Sequence, residues 1–388
     1  MSWTPTVNDA VLDDRDALER LDASEMLRAI ATAGAQVREA LLAVDDEVLA
    51  RVTADGRPRA VLVTGMGGSG IAADVAAAVA GRACPVPVLP HRGHRLPGWV
   101  GSMDLVVAVS CSGETEETLS ALDEALRRGA RVVTVGAAGS ALAARSEDGR
   151  CVHLPVDAKG RMPRANLWGL AVPVLLVLDA LDLAHASRQV LAELADQLDS
   201  LSERCGPGAD SPENVAKQVA LQVAGSLPYV WGSSELAAVA AARFAAQLAE
   251  NAKYPAVHGA LTEVHHNQVV VMAGQFGALA AEDEDDIFRD RVAEGPGWPR
   301  MRLLLLRDSE EVPEVTRRRE ATFRVAERYG VPVEELAAEG EHPVARLASL
   351  VAPLDFASAY VALLQGIDPS PIAPIVVLKS APTGEVDE

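Results

Sequence analysis

Two loops rich in glycine and hydroxyl groups carry the first chemistry in this chain. Gly65-Met-Gly-Gly-Ser-Gly70 follows the apolar run Ala60–Thr64 and leads into the small-residue run Ile71–Ala80, the pattern of strand, turn and helix. Glycines let the backbone come close to a ligand. A helix start adds free N–H groups and the positive end of the dipole, and Ser69 adds a hydroxyl, so the loop suits an anion. Val109-Ser-Cys-Ser-Gly-Glu-Thr115 repeats the arrangement, placing Ser110, Ser112 and Thr115 between the strand Leu105–Val109 and a helix over Glu116–Arg128. Loops at the carboxyl ends of neighbouring parallel strands converge on one ligand in open α/β sheets. Together Gly67, Gly68, Ser69, Ser110, Ser112 and Thr115 therefore predict a phosphate cradle. The competing use for each Ser or Thr is an ordinary helix N-cap.

The glycine loop also satisfies the dinucleotide fingerprint GxGxxG. That fingerprint calls for a carboxylate roughly twenty residues on, at the end of the second strand. Leu89-Pro-His-Arg92 offers none there, although Arg92 could meet a 2′-phosphate, so an NADP-dependent oxidoreductase is a disfavoured alternative. No cofactor is expected.

The elements that must position these loops follow from apolar patterning. Helical spacing from Met26 to Val48 predicts an opening helix. Val86–Leu89, Leu105–Val109 and Arg131–Val135 read as buried strands, and helices are expected over Arg164–Leu181 and His185–Leu201. Cys205-Gly-Pro-Gly-Ala-Asp-Ser-Pro212 is dense in turn residues and reads as a linker. The pattern then restarts. Tyr229–Trp231 is an expected strand, Gly232-Ser-Ser234 a turn and Glu235–Glu250 a helix; Val269–Met272 and Arg302–Leu306 are expected strands, Thr316–Tyr329 and His342–Gln365 helices. The fold class is α/β, with two doubly wound parallel-sheet lobes: residues 1–204, a linker at 205–212, and residues 213–388.

Composition narrows the partners. The chain has 388 residues, 49% of them hydrophobic and 23% charged, which is ordinary for a globular protein with a large core. Aromatics are only 4%, so that core must be built mainly from Ala, Val and Leu. A formal charge of −20 argues against nucleic acid, which needs clustered Lys and Arg. The four cysteines are widely spaced with no CxxC, pointing to reduced thiols. The polar, acidic start and the short, Pro/Gly-interrupted apolar runs such as Leu167–Leu178 give neither a signal peptide nor a membrane span, so a cytoplasmic location is expected. The acidic run Glu282–Asp286 reads as a solvated loop, and no metal site is expected.

GMGGSG followed by SCSGET resembles the SIS (sugar isomerase) domain, and the wider chain resembles the bifunctional phosphoglucose/phosphomannose isomerases. The resemblance runs through Asp22–Leu27, Pro163-Arg-Ala165, Glu250-Asn-Ala-Lys-Tyr-Pro255, Glu263-Val-His-His-Asn267, Glu341–Arg346 and Gly366–Pro371 to Leu378-Lys379. It implies an aldose–ketose isomerase that interconverts glucose 6-phosphate or mannose 6-phosphate with fructose 6-phosphate through a cis-enediol. By resemblance, Ser69, Ser110, Ser112 and Thr115 hold the phosphate. Glu250 is the base; His266 opens the sugar ring, Arg164 steadies the enediolate and Lys379 assists at the ring oxygen. The resemblance also implies a homodimer whose active site lies between subunits, the ring-opening His coming from the neighbour. The family's usual N-H-N-E stretch reads His265-His266-Asn267-Gln268 here, and Glu263 is a rival base. A non-catalytic sugar-phosphate sensor would need only the hydroxyl loops.

Overall fold

The structure is a computed structural model that describes residues 7–279 and 299–380. Helices α1 (Arg15–Leu21), α2 (Met26–Ala31), α3 (Ala33–Ala43) and α4 (Asp46–Thr53) lead into β1 (Val61–Thr64), α5 (Gly67–Ala80), β2 (Val88–His91), β3 (Leu105–Ser110), α6 (Glu116–Arg127), β4 (Arg131–Gly136), α7 (Ala141–Asp148) and β5 (Val152–Pro155). A 3-10 turn at Pro163–Ala165 precedes α8 (Leu167–Ala180), α9 (Arg188–Cys205) and α10 (Val215–Val223). The second half contributes β6 (Leu227–Gly232), α11 (Glu235–Gln247), a π-helical turn (Leu248–Ala252), β7 (Val257–Ala260), α12 (Leu261–Val264), β8 (Met301–Arg307), α13 (Pro313–Arg328), β9 (Val333–Ala337), α14 (Pro343–Leu364) and α15 (Ala373–Ser380).

Two all-parallel sheets result, ordered β2-β1-β3-β4-β5 and β7-β6-β8-β9. Side chains alternate across each strand, and the sequence uses that alternation to build separate layers. Val61, Val63, Val107 and Val135 face an inner core that also takes Val230, Leu304 and Leu306 from the second sheet. Leu62, Val106 and Ala108 face outward onto Ala121, Leu122 and Ala125 of α6. Tyr229, Trp231, Leu303 and Leu305 face outward onto Val315 and Ala326 of α13. One core of Ala, Val and Leu thus lies between the sheets, carried by α3, α5, α8, α9, α11 and α14.

Several expectations are corrected. The opening helix is broken at Thr32, whose hydroxyl bonds the Ala29 carbonyl, and ends at Ala43 before α4 starts. Val269–Met272 lies in a 3-10 helix (Gln268–Ala273) instead of a strand. The Asn267 side chain caps the Gln268 N–H, and only Met272 of the turn is buried. Edge strands β5, β7 and β9 and helices α7 and α10 are additions. α14 is long and apolar enough to cross a membrane by composition, but it is entirely buried inside the protein as the central core helix. The acidic run Glu282–Asp286 lies outside the described residues.

Candidate active site

The two loops meet because β1 and β3 are hydrogen-bonded neighbours, paired from Val61↔Leu105 to Thr64↔Ala108. Gly65 has no room for a side chain: a Cβ would stand 2.8 Å from the Val109 carbonyl. Gly67 has φ +51 and Gly113 φ +69, conformations that favour glycine. Ser69 is buried, and its Oγ accepts the Cys111 N–H at 3.1 Å, which ties one loop to the other. Ser110 Oγ accepts the Gly113 N–H (3.1 Å) and lies 2.9 Å from Thr115 Oγ1. Two hydroxyl protons serve this pair and only one is used between them, so the other is available to an acceptor. Ser112 is exposed, its Oγ accepting the Glu114 N–H at 3.2 Å. None of these hydroxyls caps a helix. Met66 and Thr115 occupy the N-cap positions of α5 and α6, and neither makes a side-chain cap bond. At the α5 start the Ser69 and Gly70 N–H groups return to the Met66 carbonyl, and those of Gly67 and Gly68 lie ahead of them. Arg92 is held by Asp74 and by the Gly70 carbonyl, so it is already engaged on α5.

Arg164 stands against this cradle. A Cβ on Gly68 would lie 2.8 Å from the Arg164 nitrogen, so Gly68 is what lets the Pro163–Ala165 turn seat on the glycine loop. The guanidinium is buried and oriented on three sides. Nε donates to Asn251 Oδ1 (2.7 Å), and Nη2 donates to the carbonyls of Pro369 (3.1 Å) and Ser370 (2.9 Å). Nη1 is left facing the Glu250 carboxylate at 3.5 Å. The main chain is clamped as well, its carbonyl accepting from Arg243 Nη2 (2.8 Å) and Gln247 Nε2 (3.3 Å). Arg243 is in turn fixed by a two-point ion pair to buried Asp355 on α14. Burial lowers the Arg164 pKa and Glu250 opposes that shift; a guanidinium stays charged regardless.

Glu250 sits in the π-helical turn that extends α11, a distortion that frequently marks functional sites. Its side chain is 27% exposed, reachable from solvent yet paired to Arg164. The rival, Glu263, is exposed and holds Asn267 Nδ2 at 2.8 Å, with no contact to Arg164.

The two histidines separate clearly. His265 is half-buried: its Nε2 lies 2.8 Å from Thr322 Oγ1, its ring packs edge-on against Trp231, and burial lowers its pKa. His266 is exposed, and its ring makes no hydrogen bond among the described residues. Gln268 is also structural, accepting from Trp231 Nε1 (2.9 Å) and donating to the His258 carbonyl (3.1 Å). Lys379 is exposed on α15 beside Val376, Val377 and Leu378, which are 59%, 66% and 76% exposed.

The fold does not bring every expected residue together within one chain. α11 runs from the carboxyl edge of the second sheet back to its amino edge, about 20 Å at 1.5 Å per residue, and delivers Glu250 there. β7 then returns to the carboxyl edge and delivers His266. Glu250 and Arg164 meet; among the described residues no hydrogen bond or ion pair joins either to His266 or Lys379. A cleft of about 830 Å³ lies elsewhere, between Ala78–Pro85 and the Ser233–Leu236 and Asp308–Val312 loops, away from the cradle. No group of three or more His, Cys, Asp or Glu suited to a metal ion occurs among the described residues.

Residues that sequence reasoning missed are the ones holding Arg164: Asn251, Arg243, Gln247, Asp355 and the carbonyls of Pro369 and Ser370. They lie far apart in the chain, and only the burial of so many polar groups on α11 and α14 signals them.

The fold and the cradle define a two-lobed SIS-type α/β protein. A hypothetical protein from Thermus thermophilus superposes with a TM-score of 0.69 at 18% identity, covering 94% of this chain and 92% of its own. Residues 212–381 match the bacterial phospho-glucose isomerase C-terminal SIS domain. A bifunctional phosphoglucose/phosphomannose isomerase from Caldicellulosiruptor bescii is 30% identical over 321 residues, 82% of this chain and 88% of the relative. One from Aquifex aeolicus is 30% identical over 328 residues, 83% and 89% of the respective chains. The chain belongs to the bifunctional phosphoglucose/phosphomannose isomerase family, and it is a sugar-phosphate isomerase.

Proposed function

We propose that this enzyme interconverts glucose 6-phosphate and mannose 6-phosphate with fructose 6-phosphate through a cis-enediol. The observation that carries the reading is the Glu250–Arg164 pair at 3.5 Å, seated on the phosphate loop through Gly68. The phosphate is held by the N–H groups opening α5 and α6 and by Ser69, Ser112 and the Ser110–Thr115 pair. Glu250 removes the proton from C2 of the aldose and returns it to C1, while the O2 hydroxyl proton is lost and O1 gains one. Arg164 Nη1 faces the oxygens on which charge develops, a donor fixed before the reaction starts. C2 is planar in the enediol, so glucose and mannose 6-phosphates share the intermediate.

His266 opens the ring and Lys379 assists at the ring oxygen. His266 acts on the site of a second copy, because β7 carries it to the far edge of the sheet from its own Glu250. The exposed apolar face of α15 and exposed Val270 favour such a homodimer. We divide the chain at 205–212 into residues 1–204 and 213–388, the shared inner core holding the two lobes together.

A coupled assay with both 6-phosphates tests the activity. Turnover of both is expected, with Glu250→Gln losing about 10²- to 10⁴-fold in kcat, the range for a general base. Tight sugar-phosphate binding with no turnover of either aldose would favour the sensor instead. Equilibrium sedimentation giving a strict monomer with full activity would contradict the shared site.

A further inference from the structure

Lys253 closes the π-helical turn that carries Glu250, and it does so with a left-handed backbone (φ 55, ψ 34). That conformation is the natural place for glycine or asparagine at a helix end. A lysine there accepts backbone strain, so capping alone does not account for it. Its side chain does. Nζ donates to the carbonyls of Asn251 (3.0 Å), Asp368 (3.1 Å) and Pro369 (3.3 Å), using all three ammonium protons. Burial lowers its pKa, proximity to Arg164 adds to the shift, and Asp368 opposes it.

The same three-residue stretch receives Arg164. Its Nη2 donates to the carbonyls of Pro369 and Ser370, so two cations from two elements share the Pro369 oxygen. Beyond Ser370 the chain continues directly into α15 and Lys379. The turn's other ties are modest: Ser370 N–H to its own neighbour Asp368 Oδ1 (2.9 Å) and Ser24 Oγ to Asp368 Oδ2 (3.4 Å).

We propose that Lys253 is a positioning residue: it latches the Asp368–Ser370 turn onto the turn bearing Glu250, and so fixes the Arg164 guanidinium and the root of the helix carrying Lys379. It touches no substrate. This rests on the proposed roles of Glu250 and Arg164. Losing the latch releases the carbonyls that orient Nη2, and Nη1 loses its fixed direction toward Glu250. Phosphate binding, which depends on residues 65–70 and 110–115, is untouched.

Lys253→Gly separates the latch from the cap, because glycine suits the backbone and lacks the ammonium. The expected result is a kcat lower by about tenfold or more, the scale of a misplaced catalytic group, with KM for glucose 6-phosphate within about twofold. Backbone hydrogen exchange should accelerate over residues 367–380 and stay unchanged over residues 61–115. Lys253→Arg, which keeps a long cationic donor, should restore most of the lost turnover. Lys253→Asn, equally at ease with the backbone, gives the same readouts if the glycine variant folds poorly. Wild-type kcat and exchange in the glycine or asparagine variant would overturn the latch. Glu250→Gln run alongside keeps the two claims apart. An active Glu250→Gln enzyme removes the underlying site, whereas an inactive one beside a normal Lys253→Gly enzyme removes the latch alone.

Discussion

The two lobes place serines at the same topological point, just past the carboxyl end of a central parallel strand, and then use them differently. In the first lobe Ser69 bonds across the two loops, Ser110 and Thr115 bond each other within the second, and the α5 and α6 starts are left without side-chain caps. In the second lobe Ser234 caps α11 by accepting the Ala237 N–H (3.1 Å), and Ser233 Oγ accepts the Asp308 N–H (2.9 Å). Arg346 lines the cleft there, its Nε and Nη2 lying 2.8 Å from Asp308 and 3.0 Å from Glu310. A phosphate arriving at that edge would meet the Asp308 and Glu310 carboxylates. One architecture therefore yields an edge with uncapped helix starts and an edge with a capped helix and paired carboxylates. The second lobe instead contributes Glu250, at the opposite end of its sheet.

That contrast can be broken in either lobe. Asp308→Ala takes from Arg346 its buried carboxylate, leaving the exposed Glu310 and the Glu341 carbonyl, and should cost about 3 kcal/mol of stability in a denaturant titration, with KM unchanged. A large rise in KM would mean the second crevice binds substrate after all. In the first lobe, Thr115→Val removes a hydroxyl facing an anion, worth about 1.5–3 kcal/mol, so KM for either 6-phosphate should rise about 10- to 100-fold with little change in melting temperature. Unchanged KM would leave the cradle without support. Ser234→Ala should cost about 1 kcal/mol, the usual loss for a cap, and leave KM alone.

The smallest effect is a pH dependence. Burial lowers the pKa of His153 in the first lobe and of His258, His265 and His342 in the second, each below the ordinary 6.5. The unfolded chain then takes up protons that the folded one refuses. Their stabilisation is complete above about pH 6.5 and is lost as pH falls through that value toward the folded pKa values. Melting temperature should decline below about pH 6.5, with hydrogen exchange rising first in the second lobe, which holds three of the four. A flat profile from neutrality downward would mean these rings are freely protonated in the folded state.

The parts of this account visible in the sequence are those fixed by local physics. Buried central strands β1, β3, β4, β6 and β8 announce themselves as unbroken apolar runs, and the glycine loop does so because backbone geometry and close approach demand glycine. Edge strands such as β9, Val333-Glu-Glu-Leu-Ala337, are covered on fewer sides and carry mixed patterns. Val269–Met272 reads as a strand because a short apolar run has no period of its own; the Asn267 cap decides for a 3-10 turn. The half-buried place of His265 was not legible, because its partners Thr322 and Trp231 are both distant in sequence. The clamp on Arg164 was invisible for the same reason, since its partners span residues 243 to 370.

The central claim is that Glu250, held by Arg164 beside the first-lobe cradle, moves the proton between C1 and C2. Fructose 6-phosphate incubated with the enzyme in deuterium oxide and followed by proton NMR tests it directly. The wild-type enzyme should place deuterium at C1 of the ketose and C2 of the aldose, and Glu250→Gln should place none while still binding a sugar-phosphate inhibitor. Continued deuterium exchange in the Glu250→Gln enzyme would contradict the account.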